Sequence, residues 1–160
     1  MVEEGAGGLD GKRVLDLYGG LGVHAFTLLR AGAARATVCD ADADAIGCGR
    51  EAARRSGERR VAFHHDDAAR FLRGKRESLN VDVVVANPPR TGMGQGVNHE
   101  ILRMGPHRLV IVSCDPATLA RDLRVFADGG YRVERVTPVD LFPQTAHIEA
   151  VAVLSRPLPC

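Results

Sequence analysis

The sequence predicts an α/β protein built on one doubly wound, mostly parallel sheet of seven strands that ends in an antiparallel hairpin. Short apolar runs rich in β-branched residues alternate with longer stretches of helical periodicity, and Gly, Pro or Asp separates them. No internal repeat, low-complexity tract or linker interrupts that rhythm across 160 residues, a length for one core rather than two. The last two runs have only "TPVDLFPQTAH" between them, so they are expected to pair directly and antiparallel.

Taken in order, the first strand, 13–18 (RVLDLY), runs into a turn where Gly20 and Gly22 let the backbone fold tightly before a helix over 22–31. The second, 35–40 (RATVCD), closes on Asp40 and leads to a helix over 42–56. After the third, 60–65 (RVAFHH), Asp66 and Asp67 suit the first turn of a helix over 67–74. The fourth, 81–86 (VDVVVA), breaks at Asn87-Pro88-Pro89, where two prolines lock the chain ahead of a helix over 97–104. The fifth, 108–113 (RLVIVS), stops at Cys114, with Asp115 to cap and Pro116 to open a helix over 116–127. Strands at 131–136 (YRVERV) and 148–154 (IEAVAVL) complete the set.

Composition excludes several classes. With 45% apolar and 26% charged residues the chain reads as a globular, water-soluble protein, neither disordered nor fibrous. Its apolar runs are far shorter than the roughly 20 residues of a bilayer span. The start, "MVEEGAGGLDGKR", has neither the basic nor the apolar region of a secretory signal, so a cytoplasmic location is expected. Cys39, Cys48, Cys114 and Cys160 form no C-x-x-C pair, which supports neither a metal site nor a disulfide framework. Cys39 and Cys48 read as packing, and His64 and His65 as core or surface residues. A net charge of +1 gives no global pull on nucleic acid.

Four places carry chemistry. The glycine turn gains weight from Asp40, which lies 18 residues after Gly22 and suits ribose hydroxyls. Ala25, where a third glycine would stand, leaves a dinucleotide open; the leading Asp16 and the terminal hairpin favour S-adenosylmethionine and a methyltransferase-type sheet. Asp66 or Asp67 either caps a helix or faces an adenine amine. Asn87 offers both a donor and an acceptor to a planar base or amine at a carboxyl-terminal strand edge. Cys114 sits beside a helix amino terminus, a setting in which cysteines act as nucleophiles, although free cysteines are often inert packing. Glu149, at the start of an apolar strand, is either an exposed edge residue or one kept for chemistry.

Together "DLYGGLG", "NPPRTG", "SCDPATLARDL" and "DLFPQTAHIEAVAVLSR" resemble, in the same order, the catalytic domain of the uracil-C5 RNA methyltransferases, over residues 12–156. The resemblance implies a Rossmann-like class I methyltransferase fold, S-adenosyl-L-methionine as cofactor, and a uridine of tRNA or ribosomal RNA as substrate. It implies Cys114 as nucleophile and Glu149 as general base. Asp16, Tyr18, Gly20, Gly22, Val23, Asp40, Asp67 and Asn87 are the cofactor candidates, with Asn87 and Arg90 toward the substrate. Three positions depart from the family pattern: Asn87 stands for Asp, Asp115 for Asn, and Gly19 for a frequent Cys. Family members carry a long amino-terminal RNA-binding part, often an oligonucleotide-binding β-barrel; this chain is expected to be the catalytic domain alone, so that a recognition domain or partner chain is needed. Two other readings use the same motifs: amino methylation of adenine or glutamine through the Asn-Pro-Pro turn, and a non-catalytic cofactor-binding module.

Overall fold

A computed structural model describes residues 1–75, 78–140 and 149–156. The elements are α1 (Val2–Ala6), β1 (Arg13–Leu17), α2 (Val23–Arg30), β2 (Arg35–Asp40), α3 (Ala43–Ser56), β3 (Val61–His65) and α4 (Ala68–Lys75), then β4 (Val83–Ala86), α5 (Gln95–Met104), β5 (Arg108–Ser113), α6 (Pro116–Asp128), β6 (Arg132–Val139) and β7 (Glu149–Ser155). They build one sheet of order β3-β2-β1-β4-β5-β7-β6. Neighbours from β3 through β5 are parallel, whereas β7 runs antiparallel to both β5 and β6. The terminal pair is therefore a hairpin whose second strand is the inner one.

Local signals fix the helix ends. The Asp42 side chain accepts from the amides of Asp44 and Ala45, and Gly57 closes α3 in the left-handed conformation. Asp115 accepts from the Thr118 amide, with Pro116 in the first turn of α6. That bond holds the Asp115 carboxyl below the usual range.

Residues alternate across the sheet to make two cores. Leu15 and Leu17 of β1 and Leu109 and Ile111 of β5 face Phe71, Ile101 and Phe126 of α4, α5 and α6. Val14 of β1 and Val110 of β5 face Ala6, Leu28 and Ile46 of α1, α2 and α3. With both faces covered, the central strands are buried nearly throughout.

The differences from expectation are local. Helix α1 is not predicted, because five residues carry too little of a helical period to read; tertiary contact holds it, with Gly5 against Val110 and Val153. Strand β6 continues to Val139 through Pro138, which an edge strand tolerates. Cys48 does not pack: α3 turns it outward, and it is exposed while Ile46 and Gly49 take the buried face. Ile148, with the rest of the segment joining β6 to β7, and Cys160 lie outside the described residues.

Candidate active site

Parallel strands bring their carboxyl ends to one edge, where an open α/β sheet binds ligands at the point where strand order reverses. Here the reversal lies between β1 and β4. The pairs Leu17–Cys39 and Leu17–Ala86 are the last of their ladders, so Tyr18, Asp40 and Asn87 emerge side by side. The Asn87 amide donates to Leu17 O at 3.2 Å and the Gly19 amide to Cys39 O at 3.3 Å, tying the three strand ends together.

The glycine turn is held from below and leaves room above. The Gly20 amide donates to Asp40 Oδ2 at 2.8 Å and the Asp42 amide to Asp40 Oδ1 at 2.8 Å, which fixes a half-buried carboxylate at the crevice wall. A Cβ on Gly20 would come no nearer than 3.9 Å to its neighbours, so a ligand can approach this backbone closely. Gly22 has φ +81° and presses on Phe63, where a Cβ would lie 2.9 Å from the ring. Beside it Leu21 and Val23 are exposed apolar residues on the rim. Tyr18 also has positive φ, 58°, and it donates its hydroxyl to Met93 O at 3.1 Å. Burial, with Asp67 and Asp122 adding to it, pushes the Tyr18 hydroxyl well above its ordinary pKa.

Asp16 is placed otherwise than the cofactor-contact reading expects. It is 0% exposed beneath the turn, and its Oδ2 accepts from the Ala25 amide at 3.1 Å. Helix α2 starts at Gly22, which has no side chain to cap it, so Asp16 supplies the acceptor from the neighbouring strand. The reason is the pleat: Asp16 shares a face with Val14, toward α2. Its Oδ1 stands 3.7 Å from His24 Nδ1, too long for a good hydrogen bond. Attraction to Asp16 nevertheless raises the His24 pKa, against its burial. A raised folded pKa adds stability below about pH 6.5 that is lost as pH rises through the folded value. The margin by which the parent outlasts His24→Gln in denaturant should thus be larger near pH 6 than near pH 9; an equal margin at both would exclude a charged His24–Asp16 pair.

At the end of β3 the exposed Asp67 carboxylate accepts from the Arg70 amide at 2.9 Å, while Asp66 pairs with the Arg70 side chain. Both act as helix-start residues with lone pairs left over. Next to β4, Asn87, Pro89 and Arg90 are exposed and Pro88 is buried.

Cys114, half-buried, directly follows β5, and its turn is rigid: the Ser113 hydroxyl accepts from the Asp115 amide at 3.2 Å and donates to Asp115 O at 3.1 Å. The antiparallel ladder between β5 and β7 ends at Ser113–Ala150. Cys114 lies one residue past Ser113 in the bend that leaves β5, and Glu149, the half-buried first residue of β7, precedes Ala150 and pairs with Val139 of β6. A thiol and a carboxylate 35 positions apart in the chain thus each lie one residue beyond the same final pair of the β5–β7 ladder. Burial pushes Cys39, by contrast, up to about 12, as a neutral thiol inside the sheet. Among the described residues no three His, Cys, Asp or Glu side chains converge as metal ligands, and no helix is long and apolar enough to cross a membrane.

Sequence reading overlooked Asp122 and Asn98, both almost fully buried, which hold the loop after β4. The signal was present: Asp122 falls between Leu119 and Phe126 on the inward stripe of α6, where a charge is out of place.

A family model described as tRNA (Uracil-5-)-methyltransferase matches residues 43–157. The chain is 43% identical over 162 residues to an uncharacterized RNA methyltransferase of Geobacter sulfurreducens, covering 94% of this chain and 31% of that protein. It is 39% identical over 143 residues to another from Thermotoga maritima, covering 89% and 32%. The chain thus spans about a third of the length of the curated relatives it matches. Among solved structures, it is similar to the Pyrococcus abyssi tRNA (uracil-54, C5)-methyltransferase in complex with S-adenosyl-L-homocysteine, at 29% identity and a TM-score of 0.78 over 96% of this chain and 36% of that one.

Proposed function

The chain belongs to the tRNA (uracil-5-)-methyltransferase family, with the Rossmann-like fold of class I methyltransferases, and from that premise we propose that it is the catalytic domain of an S-adenosylmethionine-dependent enzyme that methylates carbon 5 of an RNA uridine. The observation that supports this reading is the end of the β5–β7 ladder at Ser113–Ala150, after which Cys114 and Glu149 lie at the same sheet edge as the strand ends bearing Asp40 and Asn87.

The cofactor fits the residues present. Asp40, its carboxylate fixed by two amides, suits the ribose hydroxyls, the open backbone at Gly20 admits close approach, and Leu21 and Val23 offer apolar cover. Tyr18, Gly22, Asp67 and Asn87 complete the wall, and Asp16 acts only by fixing the turn. When bound, S-adenosylmethionine supplies an electrophilic methyl group on its sulfonium.

Carbon 5 of uracil is too weak a nucleophile to accept that methyl unaided. The Cys114 thiolate adds to carbon 6, the C5–C6 double bond gives up its π pair, and an enolate with an electron-rich carbon 5 results. Once carbon 5 carries the methyl group, Glu149 removes its remaining proton, the double bond re-forms and the thiolate leaves. The base must leave its stack to reach both groups, and Asn87 and Arg90, exposed at the mouth, are the residues to hold it. Binding of a long RNA is proposed to draw also on a recognition domain or a partner chain.

One observation favours a second reading. Asn87 is neutral where the family has a carboxylate, and an exposed Asn-Pro-Pro turn at this edge also suits amino methylation. Labelled cofactor and RNA, followed by digestion to nucleosides, separates the two. Label in 5-methyluridine supports the first; label in an N-methylated adenosine overturns it.

Asp40→Ala is expected to weaken S-adenosylmethionine about tenfold to a hundredfold in titration calorimetry, since hydrogen bonds to a charged group are worth roughly 1.5–3 kcal/mol. An unchanged Kd in a folded variant would remove the cofactor assignment.

A further inference from the structure

Granting the uridine-methylating role proposed above, we infer that Asp122 is a positioning residue that sets the Asn87–Gly94 loop relative to Cys114. A carboxylate that is 1% exposed on the inward stripe of a helix is costly, and for folding alone an apolar residue would serve as well or better. Both its oxygens are spent on other segments. Oδ2 accepts from the Met93 amide at 3.0 Å, and Oδ1 accepts from Asn98 Nδ2 at 3.1 Å and from Arg121 at 3.1 Å.

The same helix face grips the loop twice more. Arg121 donates to Thr91 O at 2.9 Å and the Thr118 hydroxyl to Arg90 O at 3.1 Å. Gly92, at φ +79°, lets the loop close this far, since a Cβ there would lie 2.3 Å from the Arg121 guanidinium and 2.6 Å from Asp122 Oδ2. From the opposite side the Tyr18 hydroxyl holds Met93 O, so Met93 joins the glycine turn to α6. Helix α6 begins two residues after Cys114 and reaches Asp122 within two turns. The thiol and the loop bearing Asn87 and Arg90 are therefore carried on one rigid element. Loosening that link displaces groups that meet the substrate while leaving most of its binding surface intact, which lowers kcat more than it raises KM.

Two variants separate positioning from simple stability. Asp122→Leu keeps bulk and removes both acceptors. Asp122→Asn still accepts from the Met93 amide, and its own amide can donate to Asn98 Oδ1, a buried atom with no hydrogen-bond partner, once that side chain turns over. At saturating RNA and cofactor, Asp122→Leu should lower kcat about a hundredfold with the KM for cofactor within roughly threefold. Asp122→Asn should recover at least about tenfold of that loss. Hydrogen exchange of the Met93 amide, read without any substrate, should lose protection in the Leu variant and keep it in the Asn variant.

Val153→Ala, a core variant on the α1 side, sets the effect of lost stability alone. Should Asp122→Leu not fold, Thr118→Val, which frees Arg90 O, must show the same split at about fivefold. Parental kcat in the Leu variant, a fall no larger than in Val153→Ala, or an unaltered Met93 exchange overturns the inference. A parent that forms no 5-methyluridine overturns the functional reading instead, while the exchange measurement still reports on the clamp.

Discussion

Replacing Cys114 by alanine is expected to lower uridine methylation at least about a thousandfold, roughly 4 kcal/mol of transition-state stabilisation, and to abolish covalent capture of RNA carrying 5-fluorouridine. Without addition to carbon 6, carbon 5 never becomes electron-rich, so the variant loses the chemical step rather than binding. In the parent, fluorine at carbon 5 stands where a proton must leave; the thioether at carbon 6 cannot eliminate, and the protein–RNA adduct survives denaturing electrophoresis. Methylated adduct should require the cofactor. Cys48→Ala is the matched control, because that thiol is exposed on the outer surface of α3. Since RNA recognition is proposed to draw on a further domain or partner, capture should be attempted both with this chain and with a longer or partner-supplemented form. Adducts that persist in Cys114→Ala would reduce the thiol to a strand-end cysteine and remove the mechanism.

The second large effect belongs to Glu149. In Glu149→Gln the thiol can still add and carbon 5 can still take the methyl group, but the proton that must leave has no base. A general base contributes typically about 10²- to 10⁴-fold, so turnover should fall within that range. A single-turnover experiment with natural RNA should show near-parental formation of a methylated, covalently attached species that then decays slowly. Glutamine is close in size to glutamate and preserves the register of β7 opposite Val139, so folding should be retained. Parental release would return Glu149 to an edge position without chemistry. A variant that forms no adduct would assign the carboxylate to the addition step instead.

Much of the site was legible because its signals are local. Asp115-Pro116 after an apolar run announces a strand end and a helix start, and the structure has that cap. Gly20 and Gly22 announce a turn, and both have positive φ. Asp40 closing the second strand was enough to place a carboxylate beside that turn. Side-chain orientation was less accessible. Cys48 reads as packing by residue type, yet its place on α3 turns it outward, and Asp16 reads as a ligand contact although the pleat directs it under α2. Asp122 escaped notice because its partners, Met93 and Asn98, lie 29 and 24 residues away, and neither position suggests a partner by itself.

By itself the sequence determined the seven strands, helices α2 to α6, the Asp115–Pro116 start of α6 and the residues at each strand end, because periodicity and capping are settled within a few positions by backbone and side-chain energetics. Only the tertiary structure decided that β7 enters between β5 and β6 and runs against β5. Strand pairing is a long-range choice, fixed by which apolar faces can be buried together, and a period-2 pattern is the same whichever neighbour it meets. That choice makes Ser113–Ala150 the last pair of the β5–β7 ladder, so that Cys114 and Glu149, far apart in the chain, each adjoin it.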